Sequence, residues 1–124
     1  MMNEKIYQYI LDEIIAFFPN DWEKTVVYLE YGENSYSFCF YCKVGKAFVQ
    51  CYDISGVDED KIDTAFQRID KRVSKERHSV QGQLWSNMTM TVDCDGNMST
   101  DFDYSDLSTG LYNYKKAWKK KYLV

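Results

Sequence analysis

Isoleucines recur at every fourth position near the start of the chain and predict a first helix. Ile6, Ile10 and Ile14 would share one face of that helix and form an apolar stripe. Asn3 can cap its start by accepting a backbone hydrogen bond, and Pro19 can stop it because proline lacks a backbone N–H. The stripe needs another apolar surface to cover it.

Three strands are predicted after this helix. Residues 25–31 are rich in β-branched and aromatic side chains, and two more strands follow a loop at 32–35 and a two-residue turn at 45–46. This register places Phe40 opposite Cys51, since residues that face each other share one side of a sheet. The predicted apolar face consists of Val27, Leu29, Tyr31, Tyr36, Phe38, Phe40, Cys42, Val44, Ala47, Val49 and Cys51. The reverse face is mixed in character.

A second amphipathic helix is predicted from about Asp58, with Gly82 ending it. Acidic residues open this segment and basic residues close it, as the helix dipole favours. Its apolar positions form a one-sided stripe that can lie on the sheet: Ile62, Phe66, Ile69 and Val73.

A second hairpin is predicted over residues 87–104. A three-residue loop at 95–97 places Met90 opposite Phe102, whereas a two-residue loop would place Met90 opposite Asp101. Consistent pairing of apolar residues favours the longer loop. The opposite face of this hairpin then carries Thr89, Thr91, Asp93, Ser99, Asp101 and Asp103, with Asp95 at the tip and Asp106 just beyond.

A short final helix completes the predicted order α-β-β-β-α-β-β-α. Leu111, Tyr114 and Trp118 form its apolar side, and five lysines form the other. Runs of strands separated by helices indicate an α+β fold, in which helices pack on an antiparallel sheet of about five strands. The length of 124 residues is typical of one domain, so we expect a single domain over residues 1–124.

Composition and charge exclude several classes of protein. The chain is 45% hydrophobic and 17% aromatic, which excludes a disordered chain. Its longest apolar run, residues 14–18, is too short to span a bilayer, and early acidic residues interrupt any signal-peptide pattern, so we expect a cytoplasmic protein. A net charge of −4 disfavours direct binding to nucleic acid or to an anionic membrane.

No cofactor or metal is predicted. Cys39 and Cys42 are three residues apart on a strand, so their thiols should point to opposite faces, and neither Cys51 nor Cys94 should form a close pair with either. We therefore expect four reduced cysteines. The motif at 93–97 resembles a calcium loop, but its glycine occupies the fourth position and not the sixth.

No catalytic site is predicted either. The single histidine, His78, lies among charged residues near the end of the second helix, where it is poorly placed to activate a nucleophile. Asp101, Asp103 and Asp106 could form a carboxylate pair, but no hydrophobic surroundings that would raise one pKa are visible. The chain has no glycine-rich phosphate loop. We expect a protein that is not an enzyme.

The strongest candidate for function is an acidic surface. Residues 85–109 carry five acids and no lysine or arginine, and residues 110–124 carry five lysines and no acid. Such a surface could bind a basic partner, or the lysines could fold back and neutralise it. The candidate binding residues are Asp93, Asp95, Asp101, Asp103 and Asp106, with Trp85 and Tyr104 as anchors that could equally be core residues.

Several short motifs in order resemble the YezG-like immunity (antitoxin) proteins. They span nearly the whole chain: residues 2–7, Pro19-Asn20-Asp21-Trp22, residues 85–91, Gly96 with Asp101-Phe102-Asp103-Tyr104, and residues 118–123. The chain departs from that pattern at Met88 and Met90, where leucines are usual, at Met98, and in the cysteine-rich stretch 39–51.

This resemblance implies a function. Such proteins are encoded beside LXG-type polymorphic toxins that leave the cell by type VII secretion, and they bind the toxin's C-terminal nuclease domain to prevent self-killing. A nuclease needs a cationic surface to hold phosphates, so the acidic face could occupy or flank that surface. The resemblance does not identify the toxin, and nothing in the sequence supports a homo-oligomer.

Three alternatives remain open at this point. A small-ligand or metal-binding module could use the aromatic reverse face of the first three strands, formed by Tyr28, Tyr41, Phe48 and Tyr52. An enzyme using the clustered aspartates would need a divalent cation at Asp101 and Asp103. An orphan immunity protein would have no cognate toxin.

Overall fold

The computed structural model describes residues 4–79 and 84–124. Within those ranges the order of elements is the predicted α-β-β-β-α-β-β-α: α1 (Glu4–Ile14), β1 (Lys24–Gly32), β2 (Ser35–Val44), β3 (Ala47–Gln50), α2 (Glu59–Ser79), β4 (Asn87–Asp93), β5 (Met98–Asp103) and α3 (Leu111–Tyr122). Single turns of 3-10 helix follow α1 and β3. The predicted cap Asn3 and the predicted helix end Gly82 lie outside the described residues.

The five strands form one antiparallel sheet in the order β3-β2-β1-β4-β5. The register predicted for the first three strands is confirmed, with Val27 opposite Phe40 and Cys42 opposite Val49. The predicted pair of Phe40 and Cys51 does not form, because β3 ends at Gln50 and Cys51 begins a turn of 3-10 helix.

The predicted register of β4 and β5 is wrong by two residues. Met90 lies opposite Thr100, not Phe102, because Met98 pairs with Val92 and not with Cys94. The Asp93 carboxylate holds the turn by accepting hydrogen bonds from the backbone N–H groups of Asp95 at 2.9 Å and Asn97 at 3.0 Å. A shift of two residues leaves every side chain on its predicted face.

The main core lies between one face of the sheet and helices α1 and α2. The predicted stripes of both helices are buried there, with Ile10, Ile14, Ile62 and Val73 each 0% exposed. Each fully buried aliphatic side chain of this kind stabilises the fold by about 1.5–3 kcal/mol. Asp58 caps α2 by accepting a 2.9 Å hydrogen bond from the Asp60 N–H.

Helix α3 covers part of the reverse face of the sheet and builds a second, smaller core. Trp118 is 5% exposed and packs on Val26 and Tyr28, with Tyr41 and Phe48 at its margin. The fold therefore has three layers, with α1 and α2 on one side of the sheet and α3 on the other.

The prediction that no cysteine pairs with Cys39 is wrong. The Cys39 and Cys51 sulfurs lie 3.6 Å apart, because the turn after β3 brings Cys51 back toward β2. Cys42 is buried and its sulfur accepts a 3.2 Å hydrogen bond from the Thr25 hydroxyl. All four cysteines are free thiols.

No helix in the described parts of the chain combines the length and the apolar character that crossing a membrane requires.

Candidate protein-binding surface

The five candidate aspartates are spread along the β4–β5 hairpin and the segment after it. Strand β5 is an edge strand, and its six residues Met98–Asp103 extend for about 17 Å. Asp93 and Asp95 lie at the tip of the hairpin, whereas Asp103 and Asp106 lie at the other end of the strand. The acids therefore form an elongated strip and not one compact cluster.

Asp101 and Asp103 face helix α3. The Tyr122 hydroxyl donates a 2.9 Å hydrogen bond to Asp101, and the Tyr114 hydroxyl donates one of 2.9 Å to Asp103. Asp103 also accepts hydrogen bonds from the hydroxyl of Ser105 at 2.6 Å and its N–H at 2.9 Å. These bonds, the Ser105 hydroxyl first, hold the pKa of Asp103 below its usual range.

The lysines of α3 do not neutralise this strip through ion pairs. In the ranges that the structure describes, the ion pair made by α3 joins Lys115 to Glu30 on β1, at 3.8 Å. Tyrosine hydroxyls make the contacts between α3 and the aspartates of β5. A hydroxyl leaves the carboxylate charge in place, so the strip stays acidic.

Asp93 and Asp106 organise the loops in which they lie. Asp93 accepts three hydrogen bonds within its turn, including one of 2.9 Å from the Asn97 side-chain amide, which lowers the pKa of Asp93. Asp106 accepts a 2.9 Å hydrogen bond from the Ser108 N–H, and bonds from Ser108 lower the pKa of Asp106. Both carboxylates are exposed enough to act as fixed negative charges.

The two candidate aromatic residues lie in different surroundings. Trp85 is 2% exposed, packs 5.5 Å from the rings of Tyr31 and Phe102, and accepts a 2.6 Å hydrogen bond from Arg77 at its carbonyl. Tyr104 is 47% exposed and lies just beyond Asp103, the last residue of β5. Trp85 is thus a core residue, and Tyr104 lies at the surface.

Tyr104 and Asp106 line an open groove of about 1190 Å³. The end of the β1–β2 hairpin, the second half of α2 and the segment between β5 and α3 form its walls. Four carboxylates line it, against one arginine and one histidine: Glu30, Glu33, Asp70 and Asp106, against Arg77 and His78. We call this feature the acidic groove.

Sequence reasoning missed three of these acids: Glu30, Glu33 and Asp70. They come from β1, the β1–β2 turn and α2, so no spacing along the chain indicates that they meet. The Tyr31 hydroxyl donates a 2.7 Å hydrogen bond to Asp70, and the Tyr28 hydroxyl donates one of 2.6 Å to Glu30. Burial, followed by these bonds to carboxylates, raises the pKa of both tyrosines.

A small cavity lies between the reverse face of the first three strands and α3. Helix α3 packs over Tyr28 and Tyr41, and what remains beside Tyr52 is a space of about 210 Å³. Small-molecule sites usually measure about 300–1,000 Å³. The cavity beside these aromatic residues is therefore smaller than a usual small-ligand site. The described residues also contain no group of three or more histidine, cysteine, aspartate or glutamate side chains that could hold a metal ion.

Comparison with known proteins identifies similar chains. A family model described as "Immunity protein YezG-like" matches residues 3–124. A protein named Immunity protein YezG from Bacillus spizizenii is 27% identical, over 95% of this chain and 80% of that protein. One of the same name from Bacillus subtilis strain 168 is 24% identical, over 97% of this chain and 87% of that protein. The matched range includes every described helix and strand.

Proposed function

This chain belongs to the YezG-like immunity protein family, and from that premise we propose that it neutralises a cognate toxin by binding it in a stoichiometric complex. The proposed partner is the C-terminal nuclease domain of an LXG-type toxin secreted by the type VII route, bound in the cytoplasm of the producing cell. The observation that carries the proposal is the family match over residues 3–124, supported by two similar proteins that are named immunity proteins.

The proposed mechanism is blockade without catalysis. The only histidine of the sequence, His78, is exposed on α2, and Asp101 and Asp103 are held by tyrosine hydroxyls in a surface setting. This arrangement supports a role in binding, because a general acid usually needs burial that raises the pKa of its carboxyl.

The proposed contact surface joins the acidic groove to the exposed acids of the strip. A nuclease domain needs a cationic surface to hold phosphates, and carboxylates complement such a surface. Asp95, Asp101 and Asp106 supply exposed charge, and Tyr104 supplies aromatic area beside it. Asp93 and Asp103 are proposed to keep the loops in shape as well as to add charge, since their oxygens accept several hydrogen bonds.

A pull-down with a nuclease assay tests the proposal. The tagged protein is expressed with C-terminal domains of LXG-type toxins encoded nearby, and each domain's nuclease activity is measured with and without it. We expect a 1:1 complex with one domain and loss of that domain's activity in proportion to the amount of complex. Absence of binding to every neighbouring domain would contradict a cognate partner and leave an orphan immunity protein.

A further inference from the structure

Two cysteines that the proposed function does not use lie side by side. The Cys39 and Cys51 sulfurs are 3.6 Å apart, although the residues come from β2 and from the turn after β3. A disulfide has a sulfur–sulfur distance of about 2.05 Å, so the two atoms need to approach by about 1.5 Å to bond. Cys51 lies just beyond the last residue of a strand, where such a shift breaks no pairing of the sheet.

The two sulfurs differ in their access to solvent. Cys39 is half-buried and lines the reverse-face cavity of about 210 Å³, together with Lys115 and Lys119. Cys51 is 0% exposed. Cys39 is therefore the more accessible of the two thiols and lies in a cavity that two lysines also line, whereas Cys51 is closed to solvent.

The same contact makes the two thiols chemically unequal. A hydrogen bond from the Cys51 thiol lowers the pKa of Cys39, although burial acts in the opposite direction. The same hydrogen bond raises the pKa of Cys51. In its protonated form, Cys39 directs its hydrogen to the Phe40 carbonyl, 3.6 Å away. Peroxide reacts with a thiolate, so Cys39, the thiol that ionises more readily, reacts first.

The other two cysteines do not share these surroundings. Burial raises the pKa of Cys42 to about 11, and Cys42 points into the main core. Cys94 is exposed in the β4–β5 turn, at the far end of the hairpin from the acidic groove. Both therefore serve as internal controls.

We propose that Cys39 and Cys51 form an oxidation site at which hydrogen peroxide generates an intramolecular disulfide. The Cys39 thiolate attacks a peroxide oxygen, the O–O bond breaks, hydroxide leaves, and Cys39 becomes a sulfenic acid. The Cys51 sulfur then attacks the Cys39 sulfur, the S–O bond breaks, and the departing hydroxide leaves as water with the Cys51 proton. The hydroxide from the first step takes up the proton that Cys39 lost on ionising, so two thiols are oxidised to a disulfide and one hydrogen peroxide is reduced to two waters.

Peptide mapping tests this proposal on the full chain. A Cys94→Ser background removes the exposed thiol that could join two molecules. After peroxide treatment near neutral pH and alkylation of remaining thiols, trypsin cuts after Lys24, Lys43, Lys46 and Lys61, so Cys39 and Cys51 fall in the separate peptides 25–43 and 47–61. We expect these peptides to be linked, the intact mass measured before alkylation to fall by about 2 Da, and a phosphine reductant to reverse both changes.

Cys42 shares the tryptic peptide of Cys39 and supplies the matched control. Cys42→Ala should keep the link and Cys39→Ala should abolish it, while Cys51→Ala should leave Cys39 as a sulfenic acid that dimedone labels. Fragmentation of the linked peptides assigns the cysteine in the unsubstituted protein, so the test does not depend on the folding of any variant. Failure to link the two peptides, or a link through Cys42, would overturn the proposal.

Discussion

The indole N–H of Trp118 on α3 donates a 2.9 Å hydrogen bond to the hydroxyl of Thr89 on β4, and both side chains are buried. The Thr89 hydroxyl in turn donates to the Asn87 side-chain oxygen at 3.0 Å, and the Asn87 amide donates to the Leu29 carbonyl at 3.2 Å. This chain of bonds fixes α3 on the sheet, and that position brings Tyr114 and Tyr122 onto the acids of β5.

Removing the acceptor of this anchor should destabilise the fold. Thr89→Val keeps the side-chain shape but leaves the buried Trp118 N–H without its partner, so we expect the free energy of unfolding to fall by about 1–3 kcal/mol. Urea denaturation followed by circular dichroism measures this change. Thr91→Val, on the same face of β4 at a half-buried position, is the matched control and should change stability by about 0.5 kcal/mol or less. Equal losses in the two variants would contradict an anchoring role for Thr89.

The hydrogen bonds to Asp103 should make stability depend on pH in the acid range. The pKa of Asp103 is lowered in the folded state, so the unfolded chain, with a carboxyl pKa of about 3.9, takes up the proton first as the pH falls. The contribution of Asp103 is therefore present above about pH 4 and is lost as the pH falls through its folded-state pKa.

Urea denaturation at a series of pH values from about 6 down to about 3 checks this linkage. The loss of stability over that range should be smaller in Asp103→Asn than in the unsubstituted protein. Glu59→Gln, at an exposed acid of α2, controls for the removal of one carboxylate. If Asp103→Asn lost as much stability on acidification as the unsubstituted protein, the hydrogen bonds from Ser105 and Tyr114 would not be the cause of the pH dependence.

Neutralising exposed acids of the strip should weaken toxin binding. Asp101→Asn with Asp106→Asn removes two charges and keeps side-chain shape, so we expect affinity to fall on the order of tenfold at low ionic strength, mainly through slower association. The difference should shrink as salt is added, since screening weakens exposed charges.

The control for charge alone is Glu59→Gln with Asp60→Asn, at the start of α2 and outside the acidic groove. Surface plasmon resonance at two salt concentrations measures the binding kinetics of both double variants. Unfolding curves show that both variants are folded, so the comparison separates the effect of local contact from that of net charge. If the two double variants weakened toxin binding equally, the exposed acids of the strip would have no specific role in the contact.

Tyr104 offers a test of the acidic groove that does not depend on charge. Tyr104→Ala removes an aromatic side chain beside the groove, and an anchor of this kind is worth about 2 kcal/mol or more, or roughly thirtyfold in affinity. Tyr112→Ala is the matched control, because Tyr112 is 78% exposed on α3 and does not line the groove. Isothermal titration calorimetry with the toxin domain should show weaker affinity for Tyr104→Ala and unchanged affinity for Tyr112→Ala. Weaker affinity for Tyr112→Ala alone would instead place the interface on α3.

Local patterns in the sequence determined the elements and most of the strand pairing. The stripe of Ile6, Ile10 and Ile14 predicts α1, because a helix brings every fourth side chain to one face. The short turn at 45–46 sets the register of β2 and β3, since a two-residue connection leaves few alternatives. In β4 and β5 the side-chain faces were predictable but the register was not, because hydrogen bonds to the Asp93 carboxylate hold the turn, and the pairing of apolar residues does not indicate them.

Only the tertiary structure decided how distant segments meet. The same amphipathic pattern would let α3 lie on either side of the sheet, and the buried bond from Trp118 to Thr89 places it on the reverse face. The acidic groove collects carboxylates from β1, α2 and the segment after β5, and the Cys39–Cys51 pair joins a strand to a turn. Spacing along a chain encodes periodicity within one element, whereas these contacts depend on the docking of several elements, so no motif could reveal them.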